Sequence, residues 1–440
     1  MTVLGPDGTM YLMAGNSEGD DRIVIALDAA GHIQPGWPFE ARPGSAFATL
    51  ATGPDGSVFL DECGSPGVGC AIHRLDAEGR EVSGWPFDAP TDFACPAGDQ
   101  CYSSGLDVGP NGTVYVTRTS RRSDELRLIA LDAGGDIMPG WPLVLDGYDW
   151  SDKQLGPDGT VYLIRRPFGT PTHDPTVGVI DEGAALVAFG PNGKPRSGWP
   201  VPVPNIGRYL LSPDGDVVVW SLLNDVGELC SSPRRTLFTV LGPDGRTASG
   251  WPRGSTGFAS FPTFGPDGTL YYVSATYKLY AHDASGEVVT GWPVEVPGAD
   301  DGCGPASPYV APDGTIYIAG DVITAVSPDG RPLPGWPYRP AAEMPAPCFD
   351  TECYGGHATP IVAADGTVYR MVYRSDPSGV RAEVLALDRR GQLKPGWPYR
   401  LPFDANKVGV GIAGLSADGR LFVRGGDQLL ALDPDGRLSR

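Results

Sequence analysis

The sequence repeats itself at a nearly constant interval, and this periodicity limits the possible folds more than any other feature. A first motif, roughly G-P-D-G-T-V-Y, occurs nine times. Its aspartate or asparagine stands at Asp7, Asp55, Asn111, Asp158, Asp214, Asp267, Asp313, Asp365 and Asp418. The eight steps between the first and last copies average about 51 residues, a period typical of solenoids, propellers and other repeat arrays.

Two further motifs recur within each period. A loose A-L-D-x-x-G occurs nine times, for example around Asp28 and Asp132. A G-W-P motif follows it, and eight of the ten tryptophans belong to that motif. They are Trp37, Trp85, Trp141, Trp199, Trp251, Trp292, Trp336 and Trp397. An indole is large enough to pack between neighbouring repeats, and the adjacent glycine allows a close backbone approach.

Each repeat is consistent with four short β-strands separated by tight turns. In the second repeat we predict strands at 47–52, 57–61, 71–75 and 80–87. Pro-Asp-Gly supplies the proline φ and the positive glycine φ that a tight reversal needs. The chain also contains 62 Gly and 45 Pro, a content that opposes long helices. We therefore predict an all-β protein.

Four antiparallel strands at this period are typical of a β-propeller blade. One such sheet cannot cover both of its own faces, whereas a ring gives every sheet two neighbours. We predict one β-propeller domain over residues 1–440, with nine four-stranded antiparallel blades and eight as the alternative. The expected blades are 1–41, 42–88, 103–144, 150–203, 207–253, 259–296, 306–339, 357–401 and 408–440.

These motifs resemble a known family. A-L-D-x-x-G followed by a tryptophan is similar to the tryptophan-docking repeat of quinoprotein-like (pyrroloquinoline-type) β-propellers, with G-W-P in place of the family's G-K-x-x-W. The resemblance covers almost the whole chain, from Gly5 to Gly436. Docking residues are structural in that family, so the resemblance implies a blade-docking role for the eight tryptophans and no particular activity.

Charge and hydropathy exclude several classes of partner. The chain has 33 basic and 53 acidic residues, a formal net charge of −20, which repels phosphate backbones and argues against a nucleic-acid partner. No apolar run approaches the roughly 18 residues of a membrane span. Residues 1–5 lead directly into the first repeat, so we expect the sequence to be cut from a longer precursor.

The eight cysteines indicate disulfides. Six form the close pairs Cys63/Cys70, Cys95/Cys101 and Cys348/Cys353, and we pair Cys230 with Cys303. No pair has the C-x-x-C spacing of zinc or thioredoxin-like sites. Structural disulfides in variable loops predict a secreted or cell-surface protein. The alternative is a cytosolic protein with free thiols.

The loops predict where a ligand binds. The two motif turns join strands one–two and three–four, so both lie at one end of every sheet, and the variable loops lie at the other. Variable loops on a rigid scaffold usually carry binding. At that end three arginine pairs occur in consecutive blades: Arg121 and Arg122, Arg165 and Arg166, Arg234 and Arg235. Such an arc suits an anionic polysaccharide or an acidic protein segment, unless the arginines pair with Asp124, Glu125, Asp174 or Glu182.

Other candidate chemistry is sparse. His357 opens an expected innermost strand at the channel mouth, where a histidine could contact a ligand. We expect His73 and His282, inside repeat strands, to serve in packing. Acidic loops such as Asp146–Asp152 and Asp300-Asp301 suit Ca²⁺ only weakly, because they lack regular ligand spacing. We predict no catalytic residues, no metal site and no cofactor.

The main functional hypothesis is a secreted or surface-exposed, non-catalytic propeller that binds a protein or polysaccharide. The alternative is an extracellular propeller enzyme (a polysaccharide lyase, a glycoside hydrolase or a quinoprotein-like enzyme) with its site at the loop-face mouth of the channel. The innermost strands are mostly small or apolar, as in Ala306–Tyr309, which favours binding. We expect a monomer, or an assembly in which another chain completes the short last blade.

Overall fold

The computed structural model describes residues 2–15, 21–28, 30–64, 69–89, 101–120, 125–145, 147–167, 183–223, 235–300, 304–340, 360–376, 379–405, 409–416, 418–426 and 428–439. These residues contain no helix. Their strands form nine antiparallel sheets, each built from consecutive strands. The fold is a nine-bladed β-propeller, which confirms the predicted class and blade number.

The chain divides into two compact units, and the first contains blades 1–4. Its strands are β1 (Thr2–Leu4), β2 (Met10–Gly15), β3 (Asp21–Leu27), β4 (Phe39–Glu40), β5 (Ser45–Thr52), β6 (Val58–Gly64), β7 (Cys70–Leu75), β8 (Phe87–Asp88), β9 (Cys101–Val108), β10 (Val114–Ser120), β11 (Leu126–Leu131), β12 (Leu143–Leu145), β13 (Asp149–Leu155), β14 (Val161–Arg166), β15 (Ala185–Phe189) and β16 (Val201–Pro202).

The second unit contains blades 5–9. Its strands are β17 (Ile206–Leu211), β18 (Val217–Leu223), β19 (Arg235–Leu241), β20 (Arg253–Thr256), β21 (Thr263–Phe264), β22 (Leu270–Val273), β23 (Lys278–His282), β24 (Val294–Glu295), β25 (Pro308–Val310), β26 (Ile316–Ala319), β27 (Ile323–Val326), β28 (Ile361–Val362), β29 (Val368–Asp376), β30 (Gly379–Leu387), β31 (Tyr399–Asp404), β32 (Val410–Leu415), β33 (Leu421–Gly425) and β34 (Gln428–Leu432).

The first motif forms the turn between the first two strands of a blade, as predicted. In blade 2 the Gly53 amide donates to the Ser57 carbonyl at 2.8 Å, and the Asp55 carboxylate accepts the Ser57 amide at 3.0 Å. Gly56 has a φ of +83°, a left-handed conformation that glycine adopts without steric cost. The aspartate therefore holds the turn closed while the glycine makes the reversal possible.

The predicted fourth strand of blade 2, residues 80–87, is wrong in extent. The observed strand β8 contains only Phe87 and Asp88, and Glu81 forms a single bridge to Leu75. Between them the Trp85 amide donates to the Val82 carbonyl at 3.0 Å, and Gly84 has a φ of +91°. This second turn interrupts the extended run, so the outer strand is short.

Two blades have three named strands. In blade 7, Tyr338 forms a single bridge to Ile323 at the position of a fourth strand. In blade 9 one bridge joins Leu432 and Leu438 across the turn that follows β34, like the Leu75–Glu81 bridge of blade 2.

The three motifs meet at one inter-blade contact. Six indole N–H groups donate to a backbone carbonyl in the A-L-D-x-x-G-type turn of the following blade, at 2.8–3.3 Å. They belong to Trp37, Trp85, Trp141, Trp251, Trp336 and Trp397. The Trp37 ring also packs on Tyr11 of the first motif, with centroids 5.4 Å apart. A Cβ on Gly36 would lie 2.0 Å from the Glu78 carbonyl, so only glycine fits there.

The G-W-P tryptophans are all buried, with 7–8% of each side chain exposed. The Trp–Pro peptide bonds that follow them are cis in all eight copies. Trp292 differs from the six above, because its Nε1 has no hydrogen-bond partner in the described part of the chain. The turn that follows it begins with Ser327 where most copies have aspartate, and a Cβ on Gly291 would be 3.8 Å from the Asp329 carbonyl.

Candidate functional site

Several predicted site residues fall outside the described ranges. They are Arg121, Arg122, Arg234, His357, Cys95, Cys230, Cys303, Cys348 and Cys353. Cys101 begins β9, but its side chain is not described. The predicted loop-end ligand site is therefore described at Arg165 and Arg166 in blade 4 and at Arg235 in blade 5. Arg235 begins β19 and is exposed, opposite Thr256 of β20.

The predicted Cys63–Cys70 disulfide is confirmed. Its position differs from the prediction, because the two cysteines lie in strands and not in a variable loop. Cys63 is near the end of β6 and faces Cys70 at the start of β7, as a registered cross-strand pair. The bond therefore closes the loop end of the blade 2 hairpin.

The loop end of blade 4 carries an arginine beside two aromatic rings. Trp150 of β13 is directly opposite Arg165 of β14, so both side chains lie on one face of the sheet. The Arg165 guanidinium carbon lies 4.6 Å from the centroid of the Tyr148 ring. The Tyr148 and Trp150 rings meet edge to face, with centroids 6.0 Å apart and planes at 78°. We call Tyr148, Trp150 and Arg165 the blade 4 patch.

The patch is half-buried, and its arginine is held by stacking. Arg165 has no carboxylate within ion-pair distance among the described residues, and its Nε has no hydrogen-bond partner there. The indole Nε1 of Trp150 is also without a partner in this part of the chain. The neighbouring Arg166 is different, because it donates from Nη1 to the Ser151 hydroxyl at 2.7 Å. Arg165 is thus a positioned cation with an unmatched charge.

The strand that carries the patch is fixed to blade 3 by a buried lysine. The Lys153 ammonium donates to the carbonyls of Gly105 and Tyr115 at 3.0 and 3.2 Å, and it pairs with Asp107 at 2.9 Å. Burial lowers the pKa of Lys153, although Asp107 opposes the shift. Just before it, Asp152 adopts a φ of +52° where the register of β13 shifts. Such a bulge redirects side chains at the strand end.

A buried ion pair links blades 2 and 3, and sequence reasoning missed it. Asp61 of β6 accepts two hydrogen bonds from Arg118 of β10, at 2.5 and 3.1 Å. The Asp61 side chain is fully buried and that of Arg118 is 1% exposed. Each residue follows a run of strand-forming residues in its own repeat, and nothing local indicates that the two side chains meet.

The opposite face of β6 carries a second buried acid. Glu62 accepts a hydrogen bond from His73 Nε2 at 2.6 Å, and His73 Nδ1 contacts Glu81 at 2.6 Å. The Arg42 amide donates to Glu62 at 2.7 Å, and the Ser45 hydroxyl also donates to it. Burial opposes ionisation, but the hydrogen bonds from His73, Ser45 and Arg42 outweigh it and lower the pKa of Glu62 to about 2.

The two histidines expected to serve in packing differ. His73 is buried and its ring packs edge-on against Phe39 with centroids 5.2 Å apart, as predicted, but it also bridges the carboxylates of Glu62 and Glu81. His282 packs as predicted, since its ring stacks on Tyr272 with centroids 5.7 Å apart. The sequence does contain one signal for the buried charges in blade 2. It is the pair of adjacent acids, Asp61 and Glu62, toward the end of an apolar strand.

A cavity of about 380 Å³ opens at the loop end of blade 8. It is lined by the start of β30 and by β31, and its charged residues are Arg381, Arg400 and Asp404. Its volume is near the lower limit of small-molecule sites. Blade 8 therefore has a concave, arginine-containing surface at a loop end.

Two features are absent from the described ranges. No group of three or more His, Cys, Asp or Glu residues is placed to hold a metal ion among the residues that the structure describes. The same residues include no helix long and apolar enough to cross a membrane.

The fold is similar to solved propeller structures. No family model and no curated protein sequence matches the chain. A crystal structure of the eukaryotic initiation factor is 11% identical, with 96% of this chain and 97% of that chain covered and a TM-score of 0.54. The Dos1 propeller is 10% identical, with 74% of each chain covered and a TM-score of 0.43. BamB from Moraxella catarrhalis is 15% identical, with 87% and 95% covered and a TM-score of 0.43. At these identities the similarity concerns the β-propeller fold alone.

Proposed function

We propose that this protein is a non-catalytic, extracytoplasmic β-propeller that binds an anionic polysaccharide at the loop end of blade 4. The observation that carries the proposal is Arg165, held over the Tyr148 ring beside Trp150 without a carboxylate partner among the described residues. Because the chain has a net charge of −20, a polyanion would need a local cation such as the Arg165 guanidinium to overcome the general repulsion. Its planar fork can pair with a uronate carboxylate or a sulfate in two parallel hydrogen bonds.

The aromatic rings favour a sugar polymer over an acidic peptide. Tyrosine and tryptophan combine a large apolar surface with a polar group, which suits a ligand with apolar C–H faces and many hydroxyl groups. The patch also lies on a strand that Lys153 fixes to the neighbouring blade, so little side-chain order has to be gained on binding. An acidic protein segment would also pair with the Arg165 cation, but it would gain less binding free energy from the Tyr148 and Trp150 rings.

The cellular location and the family relationship belong to the same proposal. The Cys63–Cys70 disulfide supports an oxidising, extracytoplasmic compartment and therefore a secreted or surface protein. The inter-blade contacts of the G-W-P tryptophans support a relationship to the quinoprotein-like propellers through their structural repeat. Neither feature implies a cofactor.

The test is a binding titration with polymers of different charge. We expect polygalacturonate to bind the wild type, dextran not to bind, and Arg165→Gln to weaken binding about tenfold or more, because a hydrogen bond to a charged group contributes about 1.5–3 kcal/mol. The matched control is Arg246→Gln, the same charge change at an exposed arginine in a motif turn.

Three results would overturn the proposal. The first is no binding of any polyuronate or sulfated polymer. The second is an equal loss of affinity in Arg165→Gln and Arg246→Gln, which would show a general charge effect. The third is the release of new chain ends from the polymer, which would show the propeller enzyme considered as the alternative.

A further inference from the structure

The Cys63–Cys70 disulfide lies against the buried Arg118–Asp61 ion pair. Arg118 Nη1 is 2.8 Å from the Cys63 sulfur and 3.1 Å from an Asp61 oxygen. Cys63 is partly exposed, whereas Cys70 is 7% exposed. A guanidinium from the neighbouring blade is thus placed on the more accessible of the two sulfurs.

The charges around Cys63 favour a negative sulfur. A disulfide sulfur is only a weak hydrogen-bond acceptor, whereas a thiolate beside an arginine is strongly stabilised. Asp61 opposes this, but its Oδ1 is 3.9 Å from the sulfur, farther than the arginine nitrogen at 2.8 Å. Lys153 also interacts electrostatically with Asp61 and offsets part of its charge. Glu62 lies on the other face of β6 and is bound by His73, Ser45 and the Arg42 amide.

We propose that Cys63 and Cys70 form a thiol–disulfide exchange site, in which Cys63 is the reactive thiolate and Arg118 stabilises it. The co-reactant is a small thiol or its disulfide. The proposal is independent of polysaccharide binding, since it concerns a different blade and different residues. The proposal gives Arg118 a chemical role, stabilisation of the Cys63 thiolate, in addition to its structural ion pair with Asp61.

The reaction proceeds through Cys63, the partly exposed cysteine. One thiolate attacks Cys63 Sγ, the S–S bond breaks, and Cys70 leaves with the electron pair and takes up a proton. A second thiolate then attacks the mixed disulfide, Cys63 leaves as a thiolate beside Arg118, and the co-reactant departs as its disulfide. The two thiols lose two electrons and two protons; the protein gains both electrons and one proton, and the other proton is released to solvent. In reverse, the Cys63 thiolate attacks an external disulfide and Cys70 closes the bond.

The experiment measures the ionisation of Cys63 in the full chain carrying Cys70→Ser. The rate of alkylation by iodoacetamide is followed against pH, with the Cys63 peptide quantified by mass spectrometry. We expect a midpoint at least one pH unit below about 8.5, the ordinary value for a cysteine. A midpoint at or above 8.5 would overturn the proposal.

Two further substitutions separate electrostatics from loss of structure. Asp61→Asn removes the opposing charge and is expected to lower the midpoint further, whereas Arg118→Gln is expected to raise it. Arg80→Gln, at an exposed arginine of the same blade, is expected to leave it unchanged. A change in the same direction for Asp61→Asn and Arg118→Gln would mean that both act by loosening the blade, and would contradict the assigned role of Arg118.

Discussion

Blades 1–4 and blades 5–6 use different side chains to hold neighbouring blades together. Between blades 2 and 3 the described contacts include the buried ion pair Asp61–Arg118, and between blades 3 and 4 they include the buried Lys153 paired with the partly exposed Asp107. Between blades 5 and 6 they are aromatic. Phe238 stacks on Tyr272 with centroids 4.3 Å apart, and Tyr272 stacks in turn on Tyr280.

The difference shows which part of the repeat is fixed and which part varies. In both regions a G-W-P tryptophan donates to the next blade at the motif-turn end, as Trp85 and Trp251 do. In addition to this shared contact, the described neighbours include buried ions in one region and stacked rings in the other. Buried ions need a matched partner, whereas rings need mainly volume and surface. The two regions should therefore respond differently to substitution and to pH.

The largest difference is expected when one member of the buried ion pair is removed. Arg118→Met leaves the Asp61 carboxylate without its partner and should lower the free energy of unfolding by about 3–5 kcal/mol. The double variant Asp61→Leu/Arg118→Met removes both charges and should recover most of that loss. Urea unfolding of the three proteins gives the comparison. If the double variant is no more stable than Arg118→Met, the cost comes from packing and the contrast with the aromatic region fails.

The sequence predicts the parts of the fold that are local and repeated. The turn around Asp55 needs only Pro-Asp-Gly within a few residues, and nine copies reinforce the same interpretation. The tryptophan contacts are predictable for the same reason, since Gly36 and Trp37 carry their own conformational and size requirements. The error in the outer strand, residues 80–87, arose because the turn at Gly84 follows a bridge of only one residue.

The candidate sites were less predictable, because they depend on register between distant residues. Asp61 and Arg118 are 57 positions apart, and neither belongs to a repeated motif. No periodicity in the sequence therefore connects them. In blade 4 the arginines were identified, but the aromatic partners were not. Tyr148 and Trp150 alternate at the start of an innermost strand, a pattern that predicts two side chains on one face. That pattern would have indicated the patch.

A moderate pH effect is expected at the charged interface. Because the folded-state pKa of Glu62, about 2, is below its ordinary 4.5, the ionised carboxylate stabilises the fold above pH 4.5. This stabilisation, about 3 kcal/mol, should be lost as the pH falls from about 5 to about 2. The measurement is the difference in unfolding free energy between the wild type and Glu62→Gln across that range. A difference that stays constant with pH would show that the carboxylate is not stabilised as an anion.

The smallest effect is expected in the aromatic region, where the polar group adds little to the stacked rings. The Tyr272 hydroxyl is 3.4 Å from His282 Nε2, and His282 Nδ1 donates to the Gly286 carbonyl at 2.9 Å. Burial raises the pKa of Tyr272 and lowers that of His282, so both groups are neutral at pH 7. Tyr272→Phe removes one long hydrogen bond between neutral groups and should cost less than about 1 kcal/mol.

Tyr272→Ala is the matched control, and loss of the ring should cost about 3–5 kcal/mol in the same urea experiment. A Tyr272→Phe cost close to that of Arg118→Met would mean that this interface also depends on a specific polar contact. Loss of one polar partner would then be costly in both regions, and the contrast between buried ions and stacked rings would be lost.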